Sequence, residues 1–298
     1  MELTDLRHFS NVAHTGGFTS GARRSHVTTP AVSKAVQKLE LELGAQLFVR
    51  TTRRVELTDA GRELLSRCER IFAELEGLQA VLEESAHHVG GEIRIAAMEV
   101  FSIELLPRAL ASVVTEHPTV RPSSYEVEPR RMEQLLLDGL VEVGFTIGGG
   151  ARDGIEYEEL GRTTPMLVCG RSHPLYGRSR VRRKDLAEHA SVVPRFLGRS
   201  SDAPLDQFPE ASAPRRVGAT IELLQMGVQL AIEGAYLGYF PEVSIRRALE
   251  DGRLWRLRGV RGATPFVLRA LTRKGAPRRP VVRRVIEEVR LHVRRATT

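Results

Sequence analysis

Apolar residues recur three to four apart at Leu3, Leu6, Phe9, Val12 and Ala13, so residues 3 to 14 are expected to form a helix with one packed face. Phe18, Ala22 and Val27 carry a shorter pattern with a tight turn around Ser25 and His26. Val27, Ala31, Ala35, Val36, Leu39 and Leu43 predict a longer helix starting near residue 29. Thr28 or Thr29 is placed to cap it, and Pro30 suits its first turn, where a missing N–H leaves no carbonyl unpaired. Its polar face carries Thr28, Thr29, Ser33, Lys34 and Gln37. Helix, turn, helix at this spacing is the arrangement of DNA readers, with the second helix entering the groove. Beyond it, "LFVRTTRRVELT" alternates Phe48, Arg50, Val55 and Leu57 around Thr51 to Arg54, as a two-stranded wing with a cationic tip does. On periodicity alone, a small helical bundle with a solvated basic face stays open as the other reading.

From Thr58 the pattern changes to one long helix, with Thr58 or Asp59 as cap and Glu63 near its positive end. Leu64, Cys68, Ile71, Leu75, Leu78 and Leu82 are spaced 4, 3, 4, 3, 4, a heptad seam. Such a seam must be buried in its own domain or against the same helix of a second chain, and the second chain is the expectation. A two-fold dimer would present two reader helices to paired half-sites about one DNA turn apart, or a multiple of it. His87, His88, Gly90 and Gly91 break the helix, putting a boundary near residue 90; the adjacent histidines read as a solvated hinge rather than a metal site.

After residue 90 strand and helix patterns alternate. "EIRIAA", "PSSYEVE" and "VEVGFTIGGG" read as strands, separated by the helical "IELLPRALASVVTEHP" and "PRRMEQLLLDGL". The pattern restarts after Glu158 with strands "PMLVCG", "ASVVPRF" and "AYLGYFP" and helices "RRKDLAEH" and "TIELLQMGVQLAIEG". "PFVLRALTR" then resembles a strand returning to the first lobe, before a C-terminal helix. Right-handed crossovers and mainly parallel sheets are expected. Ligands in such folds bind beyond the carboxyl ends of strands, near helix N-termini. That rule selects Glu99, Val100, Phe101 and Ser102 after the first strand, Glu128 after the second, and Thr146 and Ile147 on the third. Arg195, Phe196 and Thr220 are the corresponding positions of the second lobe. Arg195 and helix amides favour an anion, whereas Glu99 and Glu128 favour a cation, an amine or a hydroxyl-rich molecule; both alternatives stay open.

The formal charge of +7 is unevenly placed. Residues 1 to 54 hold eight basic and four acidic side chains, and residues 250 to 298 hold fourteen and four. In the C-terminal stretch Val282, Val285, Ile286, Val289 and Val293 share one helical face, so those arginines read as the coat of a packed helix, with a second nucleic-acid contact as the alternative. At 298 residues with 42% hydrophobic content, about two domains with ordinary cores are expected. No stretch of about 18 apolar residues and no leader pattern occurs, so a cytoplasmic protein without membrane contact is expected. Cys68 and Cys169 show no C-x-x-C spacing and read as core thiols, with neither disulfide nor metal site. P-loop, G-x-G-x-x-G, G-x-S-x-G and H-E-x-x-H motifs are missing and the nine histidines are scattered, which argues against an enzyme and calls for no cofactor.

The run "LRHFSNVAHTGGFTSGARRSHVTTPAVSKAVQKLELELGAQLFVRTTRRVELTDAG" resembles the signature of the LysR-type transcriptional regulators. The likeness is strong over residues 1 to about 90 and extends by layout through "LLPRAL", "RSHPL" and "AIEGAYLGYFPE". Gly21 and Ser25 depart from the usual alanine and leucine and are expected to soften the packing of the first reader helix. The resemblance implies an α/β protein with an N-terminal winged helix-turn-helix over 1–58, a linker and dimerisation helix over 59–90, and a two-lobed, periplasmic-binding-protein-like effector domain over 91–298. Lobe I would comprise 91–160 and 266–298, and lobe II 161–265. Thr28, Thr29, Pro30, Ser33, Lys34 and Gln37 would meet DNA bases, while Arg50, Arg53 and Arg54 anchor phosphates. Expected partners are double-stranded promoter DNA, a second copy through residues 59–88, a second such dimer to make a tetramer, RNA polymerase, and a small-molecule effector between the lobes. Family members often carry hydroxyl residues after the first strand and bind small organic anions; Glu99 departs from that pattern.

Overall fold

The helix α1 (Leu3–Thr15) buries Leu6, Phe9 and Val12 and stops at Gly16, whose φ of 68° is left-handed. The computed structural model describes residues 1–50, 55–84, 89–195, 206–210, 214–260 and 262–297. These divide into two units, one comprising Met1–Ala86 and Leu137–Leu140, the other His87–Leu136 and Val141–Thr298.

In the first unit α2 (Phe18–Arg24) and α3 (Thr29–Leu43) follow α1. Gly21 does not soften the packing: a Cβ there would stand 2.8 Å from the Val12 Cα, so the missing side chain lets α2 sit directly on α1. Ser25 lies just past α2 as its C-cap, and its hydroxyl accepts a hydrogen bond from Asn11 Nδ2 at 2.9 Å. The buried stripe of α3 is Val32, Ala35, Val36 and Leu39. Val27, Ala31 and Leu43, expected on that stripe, are exposed. The reason is the turn: His26 adopts φ 55°, and the Val27 N–H bonds back to Ala22 O, which leaves its side chain facing out and starts the packed stripe at Val32. Thr28 holds the N-cap conformation without a side-chain cap bond, contrary to expectation; its carbonyl accepts from Val32 N at 3.2 Å.

Strands β1 (Phe48–Arg50) and β2 (Val55–Leu57) pair antiparallel as the expected wing, with Phe48 opposite Leu57. Phe48 packs its ring 5.3 Å from Phe9 and 5.5 Å from Phe18. The Glu40 carboxylate accepts the Leu47 N–H at 2.8 Å, tying the wing to α3. Helix α4 (Asp59–Glu84) starts where Thr58 Oγ1 accepts Gly61 N–H at 2.9 Å. Its Leu64 and Phe72 pack with fully buried Cys68 into the core of Leu6, Phe9 and Val36. The beginning of the expected seam therefore serves its own unit, because the Cys68 turn of α4 rests on α1. Ile71 is 38% exposed and Leu75 half-buried; the side chains of Leu78 and Leu82, and residues His87 and His88, lie outside the described structure.

The second unit runs β3 (Gly91–Ala97), a π-turn (Phe101–Leu105), α5 (Leu106–Glu116), β4 (Val120–Glu126), α6 (Pro129–Leu137), β5 (Val143–Ile147) and β6 (Ile155–Thr163). It continues with β7 (Pro165–Gly170), α7 (Arg183–Glu188), β8 (Ala190–Pro194), β9 (Arg216–Ile221), α8 (Leu224–Ile232), β10 (Leu237–Pro241), α9 (Glu242–Glu250), β11 (Leu254–Leu257), β12 (Phe266–Arg273) and α10 (Pro280–Thr297). One sheet has the order β4-β3-β5-β12-β6 and the other β11-β7-β10-β8-β9. Both are mixed rather than mainly parallel: β3 is parallel to β4 and β5 while β12 runs against β5 and β6, and β8 is parallel to β9 and β10 while β7 runs against β10 and β11. The cause is the double crossing between lobes, since the strands flanking each crossing (β6, β7, β11 and β12) run against their neighbours.

Val282, Val285, Ile286, Val289 and Val293 of α10 are all buried. Its arginines meet acids of the same unit, Arg290 pairing with Glu158 and Arg284 standing 2.6 Å from Glu116, while Arg278 just before the helix lies 3.0 Å from Glu158. Cys68 and Cys169 are free and buried.

Candidate nucleic-acid interface and ligand cleft

The outer side of α3 carries the expected reading residues. Thr28, Pro30, Lys34 and Gln37 are exposed and Thr29 and Ser33 half-buried, opposite buried Val32, Val36 and Leu39. Spacing of three to four residues places Pro30, Ser33, Lys34 and Gln37 along one stripe. Lys38 turns away from it, with Nζ 2.8 Å from Asp5 Oδ2, so only some basic residues of α3 are free for phosphate. Arg50 ends β1 opposite Val55, and Arg53 and Arg54 lie outside the described residues. Arg23 and Arg24, not among the expected site residues, are exposed in the last turn of α2 and add positive charge.

In the second unit a cavity of about 940 Å³ opens between the two sheets' strand ends. Of the residues selected from strand ends, Glu99, Val100, Glu128 and Ile147 line it. Phe101 does not, because its ring is fully buried 5.5 Å from Phe145. Ser102 turns its hydroxyl back to Met98 O at 3.4 Å within the π-turn. Thr146 is fully buried with its hydroxyl 3.1 Å from Met98 Sδ. Arg195 extends β8, its N–H bonded to Ile221 O at 2.8 Å, and neither it nor exposed Thr220 reaches the cavity wall. Phe196 lies outside the described residues.

Glu99 has a partner from the opposite lobe. Its carboxylate accepts the backbone N–H of Gln225 at 2.8 Å and that of Leu224 with its other oxygen. Leu223, the N-cap of α8, supplies no side-chain cap, so Glu99 satisfies orphan amides at the positive end of that helix. Glu126 lines the cavity beside it, and partial desolvation together with the Glu99 charge pushes its carboxyl above the usual range. Glu133 accepts the Tyr157 hydroxyl at 2.9 Å and stands 3.6 Å from Arg152. Asp206 is held by Arg215 through contacts of 2.5 and 3.0 Å, both side chains 1% exposed.

Tyr239 was not among the expected residues, although it lies near the carboxyl end of β10, where the same strand-end rule applies. It is 2% exposed, lines the cavity, and its hydroxyl has no hydrogen-bond partner among the described residues. Burial and the nearby Asp206 charge push the phenol up to about 12. Among the described residues no cluster of His, Cys, Asp or Glu could hold a metal ion, and no helix is long and apolar enough to cross a membrane.

Comparison with known proteins agrees with both units. Residues 3–62 match the family described as bacterial regulatory helix-turn-helix protein, lysR family, and residues 86–294 match the LysR substrate binding domain. HTH-type transcriptional regulator ClcR of Pseudomonas putida is 26% identical over 267 residues, 89% of this chain and 91% of that protein. HTH-type transcriptional activator BauR of Pseudomonas aeruginosa is 27% identical over 293 residues, 95% of this chain and 93% of that protein. Full-length CbnR, crystallised in complex with its target DNA, is similar at a TM-score of 0.71 and 25% identity, covering 98% of this chain and 100% of that one. A full-length OxyR from Pseudomonas aeruginosa shares the fold at a TM-score of 0.73 and 18% identity, over 98% of each chain.

Proposed function

The chain belongs to the LysR family of bacterial transcriptional regulators, and from that membership we propose that α3 reads promoter DNA while the cleft of the second unit senses the effector. A DNA-binding regulator under small-molecule control, rather than an enzyme, is what the family membership establishes. The assignment of residues is the proposed part. Thr28, Thr29, Pro30, Ser33, Lys34 and Gln37 approach base edges, where a good bidentate contact discriminates by about 1 to 3 kcal/mol. Arg50, Arg53 and Arg54 of the wing, with Arg23 and Arg24, neutralise phosphates, a contribution shared by all sequences and weakened by salt.

The observation that carries this reading is the division of α3: one face locked into the core by Val32, Val36 and Leu39, the other a solvent-facing stripe of groups that donate and accept hydrogen bonds. The chain parts as 1–58 for the reader, 59–90 for the linker helix and 91–298 for the two lobes, with 161–265 as the second. Copies associate through α4 into dimers and tetramers, and the assembly contacts RNA polymerase from the bacterial cytoplasm. Effector in the cleft favours one arrangement of lobes and subunits. Its reach is set by its differential affinity for the two states, with couplings of about 1 to 3 kcal/mol usual.

Footprinting across fragmented genomic DNA of the source organism, at two salt concentrations and with or without its small-molecule extract, tests the reading. Protected paired half-sites whose footprint changes with the extract are expected. Protection without sequence selectivity at either salt would remove the reader role from α3.

A further inference from the structure

The cleft contains more carboxylates than the fold uses. Glu99 caps α8, Glu133 is shared by Tyr157 and Arg152, and Asp206 is consumed by Arg215. Glu126, Glu128 and Glu222 remain on the lining with no ion pair among the described residues, against the single unpaired cation Arg130. The seat that an anion would take, the amides at the start of α8, is already filled by Glu99. A carboxylate ligand would have to expel that side chain into a pocket of like charge.

A second feature is independent of the acids. The Tyr239 hydroxyl is buried in the cavity wall with no partner among the described residues, and an unsatisfied buried hydroxyl is costly unless a ligand meets it. The same lining includes the apolar side chains of Val100, Val127, Leu223, Pro241 and Phe266.

We propose that the molecule taken by this cleft is a small organic cation, an amine or guanidine on a short apolar body, its charge received by Glu126 and Glu128 and a polar group meeting Tyr239. The proposal rests on the cleft being the effector site and names the class of effector it takes. A cation there also offsets the two effects that raise the Glu126 carboxyl, desolvation first and the Glu99 charge second.

The test is calorimetric titration of the full-length protein with agmatine, 1,4-diaminobutane and 2-phenylethylamine, and with succinate, glutarate and benzoate. At least one amine is expected to saturate the protein while the carboxylates do not. E126Q combined with E128Q is expected to weaken that binding about tenfold or more, and Tyr239→Phe severalfold, since exposed carboxylates neutralised by glutamine leave the fold intact. Binding of carboxylates in preference to amines overturns the proposal, as does amine binding that E126Q and E128Q leave unchanged. So does an absence of amine binding. If the small-molecule extract still alters the footprint in any of those cases, the cleft remains an effector site and only the cationic class is wrong. If the extract alters nothing, the effector reading itself fails.

Discussion

Glu99 accepts the backbone N–H of Gln225 at 2.8 Å, which makes a loop of the first lobe the N-terminal cap of a helix in the second. The bond joins two lobes that also meet where Arg246 of α9 donates to Arg295 O of α10. Losing a side-chain cap costs about 0.5 to 2 kcal/mol, so Glu99→Ala is expected to destabilise the second unit by about that energy, read as the shift of its urea midpoint multiplied by the m-value. Glu99→Gln, which keeps one acceptor, should lose less. Equal stability of Glu99→Ala and the parent would show that the cap carries no weight, and either variant should disturb effector-dependent DNA binding more than effector-free binding.

Gln37 stands on the solvent side of α3, two residues before buried Leu39, so shortening it leaves the core alone. Gln37→Ala is expected to lose about 1 to 3 kcal/mol of discrimination at one base pair while its affinity for unrelated DNA stays unchanged. Competition binding with operator variants reads both quantities. A uniform loss over all sequences would move Gln37 from base reading to phosphate contact.

Gly61 of α4 lies against Leu47, the residue that leads into the wing. A Cβ built there would lie 2.1 Å from Leu47 O, a backbone atom that cannot step aside without moving the wing. Gly61→Ala should therefore destabilise the first unit, by about 1 to 3 kcal/mol as overpacking does, even though alanine is the better helix former. A thermal melt that rises instead would mean that α4 can slide on the wing.

His173 is 6% exposed, packs 4.8 Å from the His189 ring and accepts Leu175 N–H on Nδ1 at 3.1 Å. Burial first, and the neighbouring His189 second, hold its pKa down to about 4 against 6.5. The depressed value means that the unfolded chain binds the proton more readily between those limits. Stability is therefore present above pH 6.5 and lost as pH falls toward 4, by up to roughly 3 kcal/mol. Denaturant midpoints of the parent and His173→Gln, compared from pH 7.5 to 4.5, should converge on acidification; parallel curves would assign the acid sensitivity to other groups.

Reading the sequence succeeded where one physical signal dominated. The long apolar stripe of α10 and the helices α2 and α3 follow from side-chain period, while the reading of that pair as a DNA-binding helix-turn-helix needed the family resemblance as well. It failed at Val27, because a left-handed His26 redirects the chain and period says nothing about φ. The strands β6, β9 and β11 and helix α9 were not anticipated: β6 and α9 are rich in charge, β11 is short, and Thr220 and Ile221 of β9 had been read as the start of a helix that begins only at Leu224; the antiparallel pairings were missed since alternation does not reveal which strands cross between lobes. In the cleft, the strand-end rule found Glu99 and Glu128 but not the Tyr239 hydroxyl, whose significance lies in lacking a partner, a property of the folded chain only.

The α4 seam divides at one heptad position. Cys68 is fully buried against α1 and burial pushes its thiol up to about 11, whereas Ile71, one turn on, is 38% exposed on a helix that runs to Glu84. An apolar seam that leaves its own core at Ile71 has only a second copy's helix to cover it within the proposed dimer. Two substitutions separate the roles. Ile71→Lys should reduce the mass in solution while the first unit keeps its melting behaviour, because the side chain already faces water in the single chain. Cys68→Ser should do the reverse, lowering stability by about 1 to 3 kcal/mol through a buried hydroxyl without changing the mass. Light scattering behind size exclusion reads the mass and calorimetry the stability. An unchanged mass for Ile71→Lys would place the dimer contact elsewhere on the chain.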